Sequence, residues 1–384
     1  MPSIRKIRFR EVLLSLVILT MTASASFAAD ISVNLTAMQT TMTMPGGEIV
    51  TVWVFAQDGV LGDPALPGPV IQAQAGDNLT INLTNQLSVP VSMYINGQRK
   101  AMDPVWTEGT AEAPIYTTFR PADNYTARVR SFDTETAPLA TVAYTWTNIK
   151  AGTYMYQSGT DIAAQVPMGL FGVLKVDVTA GATAYPGVNY DEENIVVFSE
   201  LDPTLNESIV SATYTSSVDY HPRYFLINGK PFVEPADAWI PATAGASVLL
   251  RIVNAGLETR APVVPGVYMT LVAVDGYPLN NARSTYGTEL SAGQTQDILI
   301  TAADGIVKPF FDRRLYLSNN GSPSPGGAMT YLAFGAVATP CVGDFDFDGD
   351  VDGMDILAYV AAIPAVDAAA FAANLGLVTC TTLP

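Results

Sequence analysis

The decapeptides GDNLTINLTN at 76–85 and GASVLLRIVN at 245–254 align without a gap at an offset of 169 residues. Each opens on a glycine, runs through a strand-like stretch and closes on an asparagine. In the first, Leu79, Ile81 and Leu83 alternate with Thr80, Asn82 and Thr84, the period of a strand that buries one face. A repeat of this kind indicates a duplicated β-unit, and 384 residues suit two units of about 150 better than one large sandwich. Glycine and proline recur through the chain, 30 and 26 in number, and break the alternating runs into short strands. The expected fold class is all-β, with two tandem Greek-key β-sandwiches and few helices.

The units expected from these breaks are 29–180 and 181–337, joined near Thr179–Pro186, with a small third module at 340–384. Ahead of them Arg5, Lys6, Arg8 and Arg10 precede an apolar run from Val12 to Met21, and small residues end at Ala28. That is the pattern of a secretory signal peptide over 1–28. No later stretch approaches the roughly 20 uninterrupted apolar residues of a membrane span. The expected location is therefore secreted, periplasmic or on the cell surface. Cleavage after Ala28 would leave 15 basic and 35 acidic side chains, a net charge of −20. Nucleic acid is excluded as a partner, because phosphate binding rests on clustered lysine and arginine.

The segments PGPVIQAQAGDNLTINLTNQL (67–87), VAYTWTNIKAGTYMYQSG (142–159), PMGLFGVLKVD (167–177), YFLINGKPF (224–232), LLRIVNAG (249–256) and MTLVAVDGYPL (269–279) together resemble the multicopper oxidases. The resemblance covers about residues 45–335 in the family's order and implies that both sandwiches are cupredoxin domains. It also implies where copper ligands would stand. The family's His-x-His-Gly motif reads Tyr94-Ile95-Asn96-Gly97 here, and its Tyr-x-Tyr-His-Ser-His motif reads Tyr154-Met155-Tyr156-Gln157-Ser158-Gly159. All four imidazoles are replaced, at Tyr94, Asn96, Gln157 and Gly159. Copper sites of this kind need imidazole and thiolate donors. His221 is the one histidine of the chain, and a family third domain with the Cys-His electron-entry copper has no counterpart. Copper is accordingly not an expected cofactor.

Other residues offer weak alternatives. Met38, Met42 and Met44 could hold Cu(I) through thioethers, but their spacing reads first as a packed face. Tyr94, Asn96, Tyr154, Tyr156, Gln157 and Ser158 read either as side chains that satisfy one another or as a polar pocket for a small neutral ligand. Asp191-Glu192-Glu193 reads as a solvated interdomain stretch rather than an acid–base pair.

The strongest metal signal is DFDFDGDVDGMD at 344–355. A twelve-residue calcium loop supplies oxygens from positions 1, 3, 5, 7, 9 and 12 and turns on a glycine at 6. Asp344, Asp346, Asp348, Asp350, Asp352 and Asp355 occupy those positions, with Gly349 at the turn. The loop and the following Ile356-Leu357-Ala358 resemble a dockerin-like module, of which only one loop is recognisable. The module is thus expected to bind calcium and offers a surface for a protein partner. Cys341 and Cys380 flank it, and in an exported chain a disulfide between them is the expected state.

These readings converge on a secreted, copper-free pseudoenzyme of multicopper-oxidase type with a binding, structural or assembly role. Two rivals remain at this stage: a degenerate copper-dependent oxidoreductase, and an extracellular protein that docks to a scaffold. Whether the chain forms a homo-oligomer is left open by the residues.

Overall fold

The computed structural model describes residues 28–106, 129–214, 216–233, 239–301, 306–321, 326–335 and 375. Two β-sandwiches account for most of them. In the first, one sheet runs in the order Ile49–Gln57, Asp30–Thr43, Asn78–Asn85, Thr141–Trp146, and the facing sheet in the order Ile71–Gln74, Phe171–Asp177, Gly152–Gln157, Tyr94–Ile95. In the second, a six-stranded sheet runs Tyr224–Ile227, Glu192–Leu201, Val248–Asn254, Thr295–Ile300, Met269–Val274, Tyr277–Thr285. Its partner sheet runs Trp239–Ala242, Met329–Phe334, Ile306–Asp312, Pro262–Val263.

The repeat read from the sequence is a structural repeat. Strand 78–85 lies parallel to 30–43, with Ile31 opposite Leu79, and strand 248–254 lies parallel to 192–201, with Glu193 opposite Leu249. The closing asparagines do the same work in both copies. Asn85 donates from Nδ2 to the Val89 and Thr136 carbonyls at 2.8 and 2.9 Å and accepts the Leu87 amide at 2.9 Å. Asn254 donates to the Glu258 and Leu290 carbonyls at 2.8 and 3.1 Å and accepts the Gly256 amide at 3.1 Å. Each is fully buried, so each amide replaces three bonds that water would otherwise make.

The copies differ where the sandwiches meet. Strand 78–85 alternates between buried and half-buried residues, whereas every residue of 248–254 is buried. Val248, Leu250 and Ile252 fill the second core, while Leu249, Arg251 and Val253 face the first sandwich. Strands 152–157 and 171–177 are likewise buried on both faces. Met155, Phe171 and Val173 pack there on Val197, Val253 and Ala255. Gly152 is one point of close approach: a Cβ on it would sit 2.6 Å from the Gly276 Cα of the other sandwich.

The junction near Thr179–Pro186 is built as a hairpin: Thr183–Tyr185 pairs with Val188–Asn189, and Ala184 and Tyr185 pack on Leu249 and Val272. The reading of Asp191-Glu192-Glu193 as a solvated stretch is corrected at one residue, Glu193. The Asp191 and Glu192 carboxylates accept the Ser247 and Thr243 amides, each at 2.8 Å, and Glu193 pairs with Arg251 and Lys175. Asp191 stays exposed and Glu192 half-buried, whereas Glu193 lies against Arg251 and Lys175 at the seam of the two sandwiches.

The methionines are packing residues, as their spacing suggests. Met42 and Met44 are buried against Leu201, Tyr224 and Leu226 of the second sandwich, with Met38 beside them. The helix Pro203–Val210 rests on the first sandwich, its start capped by Asp202, and Asn206 donates to the Thr51 carbonyl at 2.8 Å. Among the described residues no helix is long and apolar enough to cross a membrane. The segment 1–27, the calcium loop and both cysteines lie outside the described residues.

Candidate functional site

Strand pairing brings the two degenerate motifs side by side. Strand 152–157 runs between 171–177 and 94–95, so that Tyr94 and Phe171 both stand opposite Gln157. The Asn96 amide then donates to the Met155 carbonyl at 3.1 Å. Alternation decides what each side chain meets. Tyr154 and Tyr156 point into the first core, their hydroxyls donating to the Ala151 and Pro69 carbonyls at 2.8 and 2.6 Å. Burial raises both phenols above their ordinary pKa, so both stay protonated. Gln157 is on the opposite face, and Ser158 donates to Gln165 Oε1 at 2.6 Å. The motif residues are therefore brought together in the backbone but do not converge as side chains on one polar pocket.

The space beside Gly159 is occupied by hydroxyls. Ser92 Oγ, Ser131 Oγ and Thr160 Oγ1 stand 2.9–3.0 Å apart, and Ser131 also reaches the Asp133 carbonyl at 2.7 Å. Ser158 Oγ accepts the Thr160 amide at 3.2 Å, and Gln165, which accepts from Ser158, donates to the Pro90 carbonyl at 2.9 Å. All of these side chains are buried. A Cβ on Gly159 would lie 2.9 Å from Ser92 Oγ and 3.3 Å from Tyr94 Cβ, so a side chain there requires movement. Above Gly159 a cleft of about 610 Å³ opens between Phe132, Arg130, Asp161 and Tyr214. Tyr94 meets Phe132 edge-on at 5.4 Å between centroids, and Arg130 pairs with Glu135 through both carboxylate oxygens at 2.5 and 3.0 Å.

His221 is elsewhere. Its ring is exposed, with Nδ1 2.6 Å from the Tyr220 carbonyl, and its amide donates to Asp202 at 2.8 Å. The four inherited positions carry a phenol, two amides and a glycine, without the imidazole or thiolate donors that copper sites of this kind use, and the Ser92, Ser131 and Thr160 hydroxyls lie beside Gly159. Among the described residues no three His, Cys, Asp or Glu side chains are placed to hold a metal ion.

Sequence reasoning overlooked two buried ionic networks. Arg251 donates to Glu193 at 2.8 Å, to Thr153 at 3.1 Å and to Asp177. Beside it Asp297 accepts from Thr153 at 2.5 Å and from Tyr185, so carboxylates and donors of both sandwiches are interleaved. Loss of water holds the Asp297 carboxyl above the usual carboxylate range, against the pull of Arg251. Arg260 is the second centre. It pairs with Glu200 and, at 3.2 Å, Asp312, all three fully buried, and its guanidinium lies 4.9 Å from the Tyr316 ring centroid. One signal was legible: Arg251 is the charged residue in the otherwise apolar run Leu249 to Val253.

Two sandwiches packed sheet on sheet, with motif positions paired at 94–97 and 154–159, define a cupredoxin-type protein of two domains. Models of the multicopper oxidase family match residues 36–137 and 192–326, and the chain belongs to that family. It is 25% identical to Laccase-14 of Arabidopsis thaliana over 67% of its own length and 42% of the laccase. Among solved structures, the multicopper oxidase mgLAC aligns with a TM-score of 0.63 at 21% identity over 89% of this chain and 93% of that one. The blue copper oxidase from Nitrosomonas europaea aligns at 0.61 and 20% identity, over 79% of this chain and 86% of that one. The chain thus spans less than half the length of the curated laccase it matches.

Proposed function

We propose that this chain is an exported, copper-free member of its family, in which the two cupredoxin domains serve as a binding or assembly body rather than an oxidase. The observation that carries the reading is the Ser92–Ser131–Thr160 hydroxyl group packed where Gly159 replaces an imidazole. A site kept for copper would retain donors and space, whereas this one has neutral side chains bonded to each other. The interleaved charges around Arg251 support a rigid body, since they join the domains through buried contacts.

In the same reading, Asp344, Asp346, Asp348, Asp350, Asp352 and Asp355 bind a calcium ion that stabilises the C-terminal module, and Cys341 and Cys380 are joined. That module is the element for docking to a protein partner.

The test is metal analysis and electron paramagnetic resonance on the full chain purified with copper present, alongside the double variant Gln157→His/Gly159→His. The expected result is no bound copper and no oxidation of phenols or Cu(I) in either protein. The double variant should also lose about 1–3 kcal/mol of stability from overpacking at position 159. Stoichiometric copper with turnover in the unmodified chain would return the protein to the oxidases.

A further inference from the structure

We propose that a cleft on the second sandwich binds an anionic saccharide, one that carries a carboxylate or sulfate group on a hydroxyl-rich frame. The cleft measures about 790 Å³ and is lined by Arg283, Arg313 and Arg314. Three arginines in one cleft stand out in a chain with 19 basic residues against 36 acidic ones. On so acidic a surface, a local positive site is the feature that selects an anion.

The three arginines are not equally engaged. Arg314 donates to the Thr259 carbonyl at 2.9 Å and to Glu258 at 3.2 Å. Arg313 has a single 3.4 Å side-chain contact, to the Tyr286 hydroxyl, and its guanidinium lies 5.8 Å from that ring's centroid. The Arg283 side chain, on a strand whose backbone pairs with Leu271, has no hydrogen-bonding or ion-pair partner among the described residues. Glu289, the one carboxylate in the lining, pairs with none of them. Two guanidinium forks are therefore open, and their planar donor pairs match the two oxygens of a carboxylate or sulfate.

The remaining lining suits a sugar better than an apolar ligand. Thr285 and Thr288 bring hydroxyls and Gln294 and Gln296 bring amides. Thr288 donates to Gln296 Oε1 at 2.8 Å and Gln296 donates to the Glu289 carbonyl at 2.7 Å, so that wall is already held in place. Gln294 Oε1 accepts the Ser291 amide at 3.1 Å, which leaves its Nε2 donors for a ligand. At the rim Tyr286 is 52% exposed and offers a ring face to the C–H surface of a sugar. The assignment stands whether or not the inherited site takes copper, since it involves other residues on the other sandwich.

The test is calorimetric titration of the full chain with three oligosaccharides of equal length: a uronate oligomer, a sulfated oligomer and a neutral one, with inorganic sulfate as a fourth probe. At least one charged oligomer is expected to bind about tenfold or more tightly than both the neutral oligomer and free sulfate. Which charged oligomer wins identifies the anionic group. Arg283→Gln/Arg313→Gln should remove that preference while leaving the melting temperature unchanged, because both side chains are exposed. Arg283→Lys/Arg313→Lys should retain part of it, having the charge without the fork. Equal affinity for neutral and charged oligomers, or an undiminished preference in the Gln variant, overturns the proposal. Free sulfate binding as tightly as the oligomers overturns the saccharide assignment.

Discussion

Replacing Arg251 with methionine should destabilise the protein by about 3–5 kcal/mol at neutral pH and partly uncouple its two domains. Arg251 is fully buried and donates to Glu193, Thr153 and Asp177, of which Thr153 and Asp177 belong to the first sandwich. Without it, Lys175 is left to face Asp177 and Glu193, and the positive neighbour of Asp297 is gone. Two hydrogen bonds between charged groups contribute roughly 1.5–3 kcal/mol each, and breaking a buried ion pair typically costs about 3–5 kcal/mol. Packing of the methionine near the Tyr190 ring offsets a small part. The loss should also depend on pH in a definite direction. The folded pKa of Asp297 is already raised by burial, with Arg251 opposing the rise. In the variant that opposition is gone, so the carboxyl rises further above its unfolded value. A raised carboxyl contributes stability that is fully present below its unfolded pKa, near 4, and is lost as pH climbs through the folded value. The deficit of the variant should therefore be smallest near pH 4 and grow toward neutrality. Urea unfolding followed by tryptophan fluorescence and far-ultraviolet circular dichroism measures both effects, since three of the four tryptophans, Trp53, Trp106 and Trp146, lie in the first sandwich. The two probes should coincide in the unmodified chain and separate in the variant. A loss below about 1 kcal/mol, or one that does not change with pH, would refute the argument.

Asn85→Ala and Asn254→Ala should each cost about 2–4 kcal/mol in chemical denaturation, since each leaves one buried and one half-buried carbonyl and a buried amide without their partner. A near-neutral result at either position would show that the two copies do not share this device. Calorimetry with excess EDTA should separate an early transition of the C-terminal module from the melting of the sandwiches, and Asp344→Ala or Asp348→Ala should reproduce it; a single transition indifferent to chelation would remove the calcium assignment. A thiol assay on unfolded, unreduced protein should find about zero free thiols per chain. Two free thiols would break the Cys341–Cys380 link.

The sequence by itself determined the all-β class, the duplication and the family. Alternation and turn residues are local properties, and the alternating run 78–85, its repeat at 245–254 and the closing asparagines can be read without knowing what they touch. That Tyr94, Asn96, Gln157 and Gly159 stand at the four motif positions was equally legible, because it is a matter of residue identity. What filled the vacated positions was not. Ser92, Ser131 and Thr160 are unremarkable hydroxyls far apart in the chain, and only the sheet pairing and its loops bring their oxygens within 3.0 Å. The same holds for Glu193, which the reading of Asp191-Glu192-Glu193 placed in solvent. Charge alone favours water, but Glu193 starts a strand whose face is covered by the first sandwich, where Arg251 and Lys175 meet it. Burial on both faces also erased the alternation in 248–254, so an apolar run with one arginine marked a domain interface rather than a simple half-buried strand. Local pattern records which face of a strand is apolar, whereas the partner of each face is set by contacts between residues as far apart as Asp177 and Arg251, and those exist only in the folded chain.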